Sequence, residues 1–342
     1  MQNATNAYSR GFGDTGEQTV ILVVTGATGF VGRALIRHCI HNVSSGDEDM
    51  ELRVLVRSKG RLPMHPKIRE YEGDLNQLNS DLFPDQPHVL VHLANKNIDH
   101  DGSGFQQTNV HGTEKLLKAC RPSTRGMIYN SSLSVLGQGA QVNSSHIAPV
   151  HPQTDLALSR AQAEESVLRG ARKLNTTAYC LRPRFILGDG DNYVMPALAK
   201  LVNKGLYLGD GQQRYSVIDV DDYAKIIVQL ATRCLQTDVV EQIPLNIGYS
   251  SPLSYEVIFS ELRKKMASAS RKKTIPAPAL LASLLKRIPN KTLQAKAIQL
   301  QLIGLDHFGD TAATQSRLIH DVLKRDSLEY MKSLAQQYGA MV

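Results

Sequence analysis

With 342 residues, 42% of them hydrophobic and 21% charged, the chain can bury a large core and reads as a soluble globular protein. Its formal charge of +7 is spread without a long basic run or a basic-aromatic stripe, which argues against nucleic acid and for affinity toward anionic small molecules. Cys39, Cys120, Cys180 and Cys234 are far apart and form no CxxC pair, so neither a disulfide framework nor a zinc site is supported, and no apolar run approaches the roughly 20 residues of a membrane span; the expected location is the cytoplasm.

Residues 1–18 lack periodicity and read as a disordered tail. They contain Gly11-Phe12-Gly13-Asp14-Thr15-Gly16, a GxGxxG match that precedes the first strand instead of following one, so it cannot cradle a phosphate. The apolar run Val20 to Val24 then leads into Thr25-Gly26-Ala27-Thr28-Gly29-Phe30-Val31-Gly32, a strand, a tight glycine turn and a helix start. In such a turn one glycine permits the backbone path, another lets a pyrophosphate approach, and the third allows close helix packing. The helix N-terminus supplies N–H groups to the phosphates, so Gly26, Thr28, Gly29, Phe30, Val31 and Gly32 are expected to hold a dinucleotide.

Val31, Leu35, Ile36 and Ile40 mark the buried face of the following helix, a polar loop spans Asn42 to Asp49, and Leu52 to Val56 is a second strand. Where that strand ends, an acidic residue would select the ribose hydroxyls of NAD and an arginine the 2′-phosphate of NADP; the chain reads Arg57-Ser58-Lys59, which favours NADP over NAD. A short strand precedes Gly73-Asp74-Leu75, the run His88 to Ala94 is a buried strand, a helix covers about Gly104 to Cys120, and Met127 to Ser131 is a further strand leading to Ser132. This alternation predicts an α/β fold, a Rossmann-type doubly wound parallel sheet with a smaller, mainly C-terminal substrate lobe. The expected division is 19–183 with about 217–248 for the NAD(P)-binding domain, and 184–216 with 249–342 for the lobe.

TGATGFVG, the GDL after the third strand, HLAN, NVHGT, YNSSLSVLG, LRPRFILG, VIDVDD and PLNIG occur in an order that resembles the extended short-chain dehydrogenase/reductase family, over roughly residues 20 to 260. That family includes nucleotide-sugar epimerases, dehydratases and ketoreductases and the 3β-hydroxysteroid dehydrogenases. The resemblance implies that Gly26, Gly29, Phe30 and Val31 meet the pyrophosphate, Asp74 and Leu75 the adenine, and Leu93, Ala94 and Asn95 the centre of the cofactor. It places Asn109, Pro183 and Arg184 near the nicotinamide half, makes Ser132 the serine that polarises the reacting carbonyl, and implies a homodimer through paired helices.

The family's YxxxK pair uses a lysine's charge to bring a tyrosine, with an ordinary pKa of about 10, into useful proton exchange. Aligned without a gap over Pro152 to Glu165, the tyrosine position is Leu156 and the lysine position Arg160. Leucine has no exchangeable proton. Arg160 keeps a charge for the ribose but, with a pKa above about 12, relays no proton. His146, His151, Tyr129, Tyr193 and Tyr215 are the substitutes the sequence offers, each with a plain structural reading beside it, and none is assigned.

In Gly209 to Asp219 the resemblance makes Arg214 the residue that grips the diphosphate of a nucleotide sugar, the alternatives being a loop cap or a pair with Asp210. Pro276 to Ile288 reads as a short lid or lobe helix with basic residues at its end, a membrane-surface contact being the other reading. His38 and His41 lack a third ligand, so no metal is expected, and residues 310 to 340 read as two polar helices. Two functional classes stand: an NAD(P)-dependent oxidoreductase or epimerase acting on a nucleotide sugar or similar small molecule with an altered proton donor, and a non-catalytic dinucleotide binder with a structural or sensing role.

Overall fold

The computed structural model describes residues 19–41, 50–99, 103–266, 270–276 and 278–339. The expected tail 1–18 with its GxGxxG pattern, and the expected loop Asn42 to Asp49, lie outside them. The first half of the chain runs β1 (Val20–Thr25), α1 (Phe30–His41), β2 (Met50–Val56), β3 (Ile68–Glu72), β4 (His88–His92), α2 (Ser103–Phe105), a π-helical segment (Gln106–His111), α3 (Gly112–Ala119) and β5 (Thr124–Asn130). A 3-10 turn (Leu133–Leu136), β6 (Gln141–Ser144), α4 (Asp155–Leu174), β7 (Thr177–Pro183), β8 (Phe185–Leu187), α5 (Val194–Asn203), β9 (Leu206–Leu208), β10 (Arg214–Tyr215), β11 (Val217–Asp219) and α6 (Val220–Gln236) follow. The last part comprises β12 (Gln242–Ile247), β13 (Leu253–Ser254), α7 (Tyr255–Lys265), β14 (Lys273–Ile275), α8 (Pro278–Lys286), α9 (Lys291–Gly304) and β15 (His307–Gly309). The chain closes with α10 (Ala312–Gln315), a second 3-10 turn (Val322–Lys324) and α11 (Ser327–Gly339).

Seven parallel strands form the main sheet in the order β12-β7-β5-β4-β1-β2-β3. The chain winds outward from β1 in one direction and returns to β4 for the other, so the switch point lies between β1 and β4, where open α/β sheets bind ligands. Both faces are covered. In β1, Leu22 and Val24 face α1 and α6 while Val23 faces the α3–α4 side, so successive side chains serve opposite layers of the core. Three smaller sheets, β13-β10-β15-β6, β11-β8 and β14-β9, complete the described fold; apart from β6, their strands all follow β7 in the chain.

The helix expected over 104–120 runs continuously over 103–119, its middle a π-helical turn that carries Asn109, whereas of the two helices expected in 310–340 the first is the single turn α10. Thr314 Oγ1 donates to the Asn246 carbonyl at 2.7 Å, and Arg317 pairs with Glu241 at 2.6 Å. These anchors hold the segment to β12 and its approach, and they outweigh its local helical preference.

A buried polar chain ties β1 and β4 to the helices. Thr113 Oγ1 donates to the Asn109 carbonyl at 2.6 Å, so it accepts from His92 Nε2 at 2.8 Å, and Thr25 Oγ1 donates to His92 Nδ1 at 2.7 Å. The imidazole must be neutral to accept there, and burial pushes its pKa down to about 3. Its folded value lies below the unfolded value of about 6.5, so its contribution is present above pH 6.5 and lost as pH falls through the window toward 3. Urea stability should therefore drop by about 1.4 kcal/mol per pH unit below pH 6 on account of this group, and His92→Asn should flatten the profile by that slope.

Candidate functional site

The glycine turn divides its labour in a way the sequence does not state. Gly26 has φ +76°, and a Cβ there would lie 2.6 Å from the Ala94 nitrogen; a Cβ on Gly32 would lie 2.3 Å from the Gly26 carbonyl oxygen. Those two glycines are required by the protein's own packing, against β4's end and within the turn. At Gly29 a Cβ would meet only the Gly26 oxygen, at 3.1 Å, so this glycine leaves its space to whatever lies over the turn. The Gly29 N–H donates to the Gly26 carbonyl at 3.0 Å, and Arg33 N–H to the Gly29 carbonyl at 2.9 Å, which starts α1 at Phe30. No acidic residue occupies the first turn of α1, so its N–H groups and dipole favour an anion, and the open cradle fits a dinucleotide pyrophosphate. Val31 packs into the core beneath.

At the outer end of the switch point, Thr28, Val56, Arg57, Ser58 and Arg61 line a cavity of about 320 Å³. Arg57 and Arg61 are exposed and, among the described residues, neither is ion-paired. Arg33 donates to the Thr28 carbonyl at 2.7 Å and adds a third guanidinium beside the turn. Asp74 Oδ1 accepts from the Asn76 and Gln77 N–H groups at 2.7 and 2.9 Å, which closes the turn after β3, and Leu75 is buried under Gly112.

Leu93 and Ala94 form the wall against Gly26, with Leu93 N–H donating to the Thr25 carbonyl at 3.1 Å. Asn95 accepts from the Tyr129 hydroxyl at 3.1 Å and donates to the Asn130 carbonyl at 2.9 Å. Buried Asn109 holds the chain leaving β4 on both sides: its Oδ1 accepts from Lys96 N–H at 2.7 Å, and its amide donates to the Lys96 carbonyl and to Ser159 Oγ, both at 3.0 Å. The π-helical turn thereby clamps that segment to α4.

Helix α4 begins at a Thr154 cap, whose hydroxyl accepts from Ala157 N–H at 3.2 Å, and stops at Asn175 in the left-handed conformation. It carries Leu156 and Arg160 one turn apart. Arg160 donates to Asn97 Oδ1 at 2.7 Å, while its Nε is buried and finds no hydrogen-bond partner among the described residues. Arg184, just past β7 and Pro183, donates to the Leu302 carbonyl at 3.0 Å and lies over the Phe185 ring, and its Nε is likewise buried without a partner among the described residues. Burial lowers both pKa values, and the charge of Arg160 adds to the lowering of Arg184 to about 10. Neither is paired with a carboxylate among the described residues. Two guanidiniums within electrostatic reach, each with an orphaned N–H, have the chemistry to receive an anion.

Ser132 caps the 3-10 turn before β6, its Oγ accepting from Ser134 N–H at 3.2 Å, and is buried. Four of the five substitutes for the missing tyrosine are engaged or turned to solvent. Tyr129 donates to Asn95, Tyr215 donates to the Ile303 carbonyl, Tyr193 is 64% exposed and His151 is exposed; the half-buried His146 is fixed through its backbone carbonyl, which accepts from Arg182 at 3.0 Å. Burial pushes the Tyr129 and Tyr215 hydroxyls above their ordinary pKa, away from ready ionisation.

Arg214 is half exposed on β10, 3.5 Å from Asp306 and over the Phe308 ring; Asp306, not Asp210, is its partner. Beside it, Gly209, Gln213, Thr274, Pro278, Leu280 and Asp306 help line a cavity of about 830 Å³. The residues that the sequence did not bring forward are Arg61, Arg33 and Asn97. Arg61 had a signal, since the basic turn runs on through Arg57-Ser58-Lys59-Gly60-Arg61; Asn97 had none, because only the fold brings it to Arg160. No cluster of three metal-ligating side chains occurs among the described residues.

Residues 22–248 match the model of the NAD dependent epimerase/dehydratase family. The sterol-4-alpha-carboxylate 3-dehydrogenase (decarboxylating) of Candida albicans is 27% identical over 240 residues, covering 66% of this chain and 68% of that one. The UDP-N-acetylglucosamine 4-epimerase of Methanobrevibacter ruminantium, solved with UDP-N-acetylmuramic acid, superimposes with a TM-score of 0.69 at 16% identity, covering 94% of this chain and 99% of that one. MoeE5, solved with UDP-glucuronic acid and NAD, gives 0.68 at 22% identity, covering 94% and 100%. At these identities the two solved structures establish the fold.

Proposed function

Because the chain belongs to the NAD-dependent epimerase/dehydratase family, we propose that it binds NADP(H) and an acidic small-molecule substrate, with the hydride site at the Arg160–Arg184 end of the cleft. The observation that carries this reading is the distribution of cations that have no carboxylate partner among the described residues: Arg57 and Arg61 at one end, Arg160 and Arg184 at the other. A nicotinamide dinucleotide supplies the hydride when bound. Gly29 and the start of α1 would hold its pyrophosphate, and Arg57 and Arg61 would select the 2′-phosphate. Arg160 stands where the family has lysine and would hold ribose hydroxyls without relaying a proton. Arg184 would face a substrate carboxylate, whose charge offsets the cost of burying two guanidiniums. The relatives named above point the same way, being named for a carboxylate or solved with UDP-sugar acids.

Leu156 favours a second reading, a member that holds dinucleotide without turning over, since the position that exchanges the proton in this family carries none. One set of measurements separates the readings. NADPH should raise the melting temperature by roughly 5 °C and NADH by clearly less, and Arg57→Glu with Arg61→Glu should abolish the difference. Equal shifts with both nucleotides would refute the 2′-phosphate assignment. Oxidation of NADPH in the presence of keto-sugar nucleotides or 3-oxo acids supports the enzyme; retained binding with no oxidation across both sets leaves the non-catalytic binder.

A further inference from the structure

One stretch of the sequence is rich in positive charge, although Lys264 within it pairs with Glu261 just before it at 2.6 Å. Between Leu262 and Leu305 there are ten lysines and arginines and no aspartate or glutamate, a formal +10 against +7 for the whole chain, so the remainder is net acidic. The middle of this segment is α8, and it turns its leucines outward. Leu280 is 62% exposed, Leu284 52% and Ile288, just past the helix end, 42%, with Leu281 beside them. Positions 280, 281, 284 and 288 recur at helical spacing and share one face, while Pro278 and Ala282 are buried on the side that packs toward α9. Exposed Arg271, Lys272 and Lys273 lead into the helix and exposed Arg287 follows it. Lys272 Nζ is only 3.5 Å from the Tyr207 ring centroid, so it is partly engaged. The exposed carboxylate nearest in the lining is Asp210, across the cavity that Leu280 and Pro278 help line.

We propose that α8 docks on the surface of an anionic lipid bilayer, its leucine stripe entering the interface and the flanking cations meeting lipid phosphates and carboxylates. An apolar stripe bounded by basic residues and too short to span is the form of an interfacial anchor, and anionic headgroups are the occupant that complements both halves of the patch. A protein partner would need an acidic rim around an apolar groove. A second copy of this chain would set the exposed Arg271, Lys273 and Arg287 of one face against the same cations of the other. Docked in this way, the cavity of about 830 Å³ opens at the lipid surface, because Leu280 belongs to both the stripe and the cavity wall. No helix among the described residues is long and apolar enough to cross a membrane, which agrees with docking and not insertion. Docking makes no use of the dinucleotide site.

The test is flotation of the full chain with vesicles of phosphatidylcholine alone or mixed with phosphatidylserine, at low and high salt. The protein should float with the mixed vesicles at low salt and much less with phosphatidylcholine. Leu280→Gln with Leu284→Gln should weaken partition by at least about tenfold at an unchanged melting temperature, because both side chains are already in water. Arg271→Gln with Lys273→Gln and Arg287→Gln should weaken it by roughly fivefold per cation and reduce the salt dependence. Failure to float with phosphatidylserine vesicles, or flotation indifferent to both sets of substitutions, would overturn the proposal. So would a dimer in solution that the leucine changes dissociate while vesicle binding is absent.

Discussion

Glu164→Ala should cost about 3–5 kcal/mol in urea unfolding, more than any other single surface-remote change in the cleft walls. Glu164 on α4 receives Arg182 Nε at 3.1 Å and the second Arg182 amine on its other oxygen, and it also accepts from Ser131 Oγ at 2.7 Å. Both side chains of the ion pair are under 5% exposed. Truncation leaves the guanidinium with only the His146 carbonyl, a buried charge without its counter-ion. Glu164→Leu with Arg182→Met should recover much of the loss, since an apolar pair avoids the desolvation of both ions. A cost below about 1 kcal/mol for the alanine change would show that α4 is held by its apolar face alone. The pair matters to the cleft because it pins β7 and α4, the elements that bring Arg184 and Arg160 within range of each other.

The second large effect separates glycines that the motif treats alike. Gly32→Ala should destabilise the fold by about 3 kcal/mol, because its methyl would fall 2.3 Å from a backbone oxygen and 2.5 Å from the Ala27 Cα. Gly29→Ala meets one oxygen at 3.1 Å and should cost about 1 kcal/mol or less, yet it fills the space over the turn. The Gly29 variant should thus melt near the parent temperature without ligand and lose the rise produced by NADPH. If it keeps the full rise, the pyrophosphate does not lie over Gly29.

The fold is legible in the sequence because its signals are local. Val20 to Val24 is a continuous apolar run followed by the glycine turn, and such a strand can only be buried on both faces, which commits the sheet to flanking helices. The family pattern aligned over Pro152 to Glu165 likewise falls on α4, which starts at Thr154 and Asp155 and ends with Arg172 and Lys173 in its last turn. Segment 310–340 departs from its sequence reading for the opposite reason. Its helical preference is local, but Thr314 and Arg317 are held by Asn246 and Glu241, far back in the chain. For the same reason Arg214 could not be matched to Asp306 by reading along the chain, and Asp210, its near neighbour in sequence, was the false candidate.

By itself the sequence determined the strand, glycine turn and helix start, the basic turn after β2, and the absence of a proton-bearing side chain at position 156, because each follows from which residues stand next to one another. Tertiary structure alone decided which glycine is left open, that Arg160 and Arg184 lie within electrostatic reach of each other without a carboxylate partner among the described residues, and that the leucines of α8 face outward. Those facts depend on distances between residues far apart in the chain and on which side of a helix meets a neighbour, and burial, with the charge balance it enforces, exists only once the chain has packed.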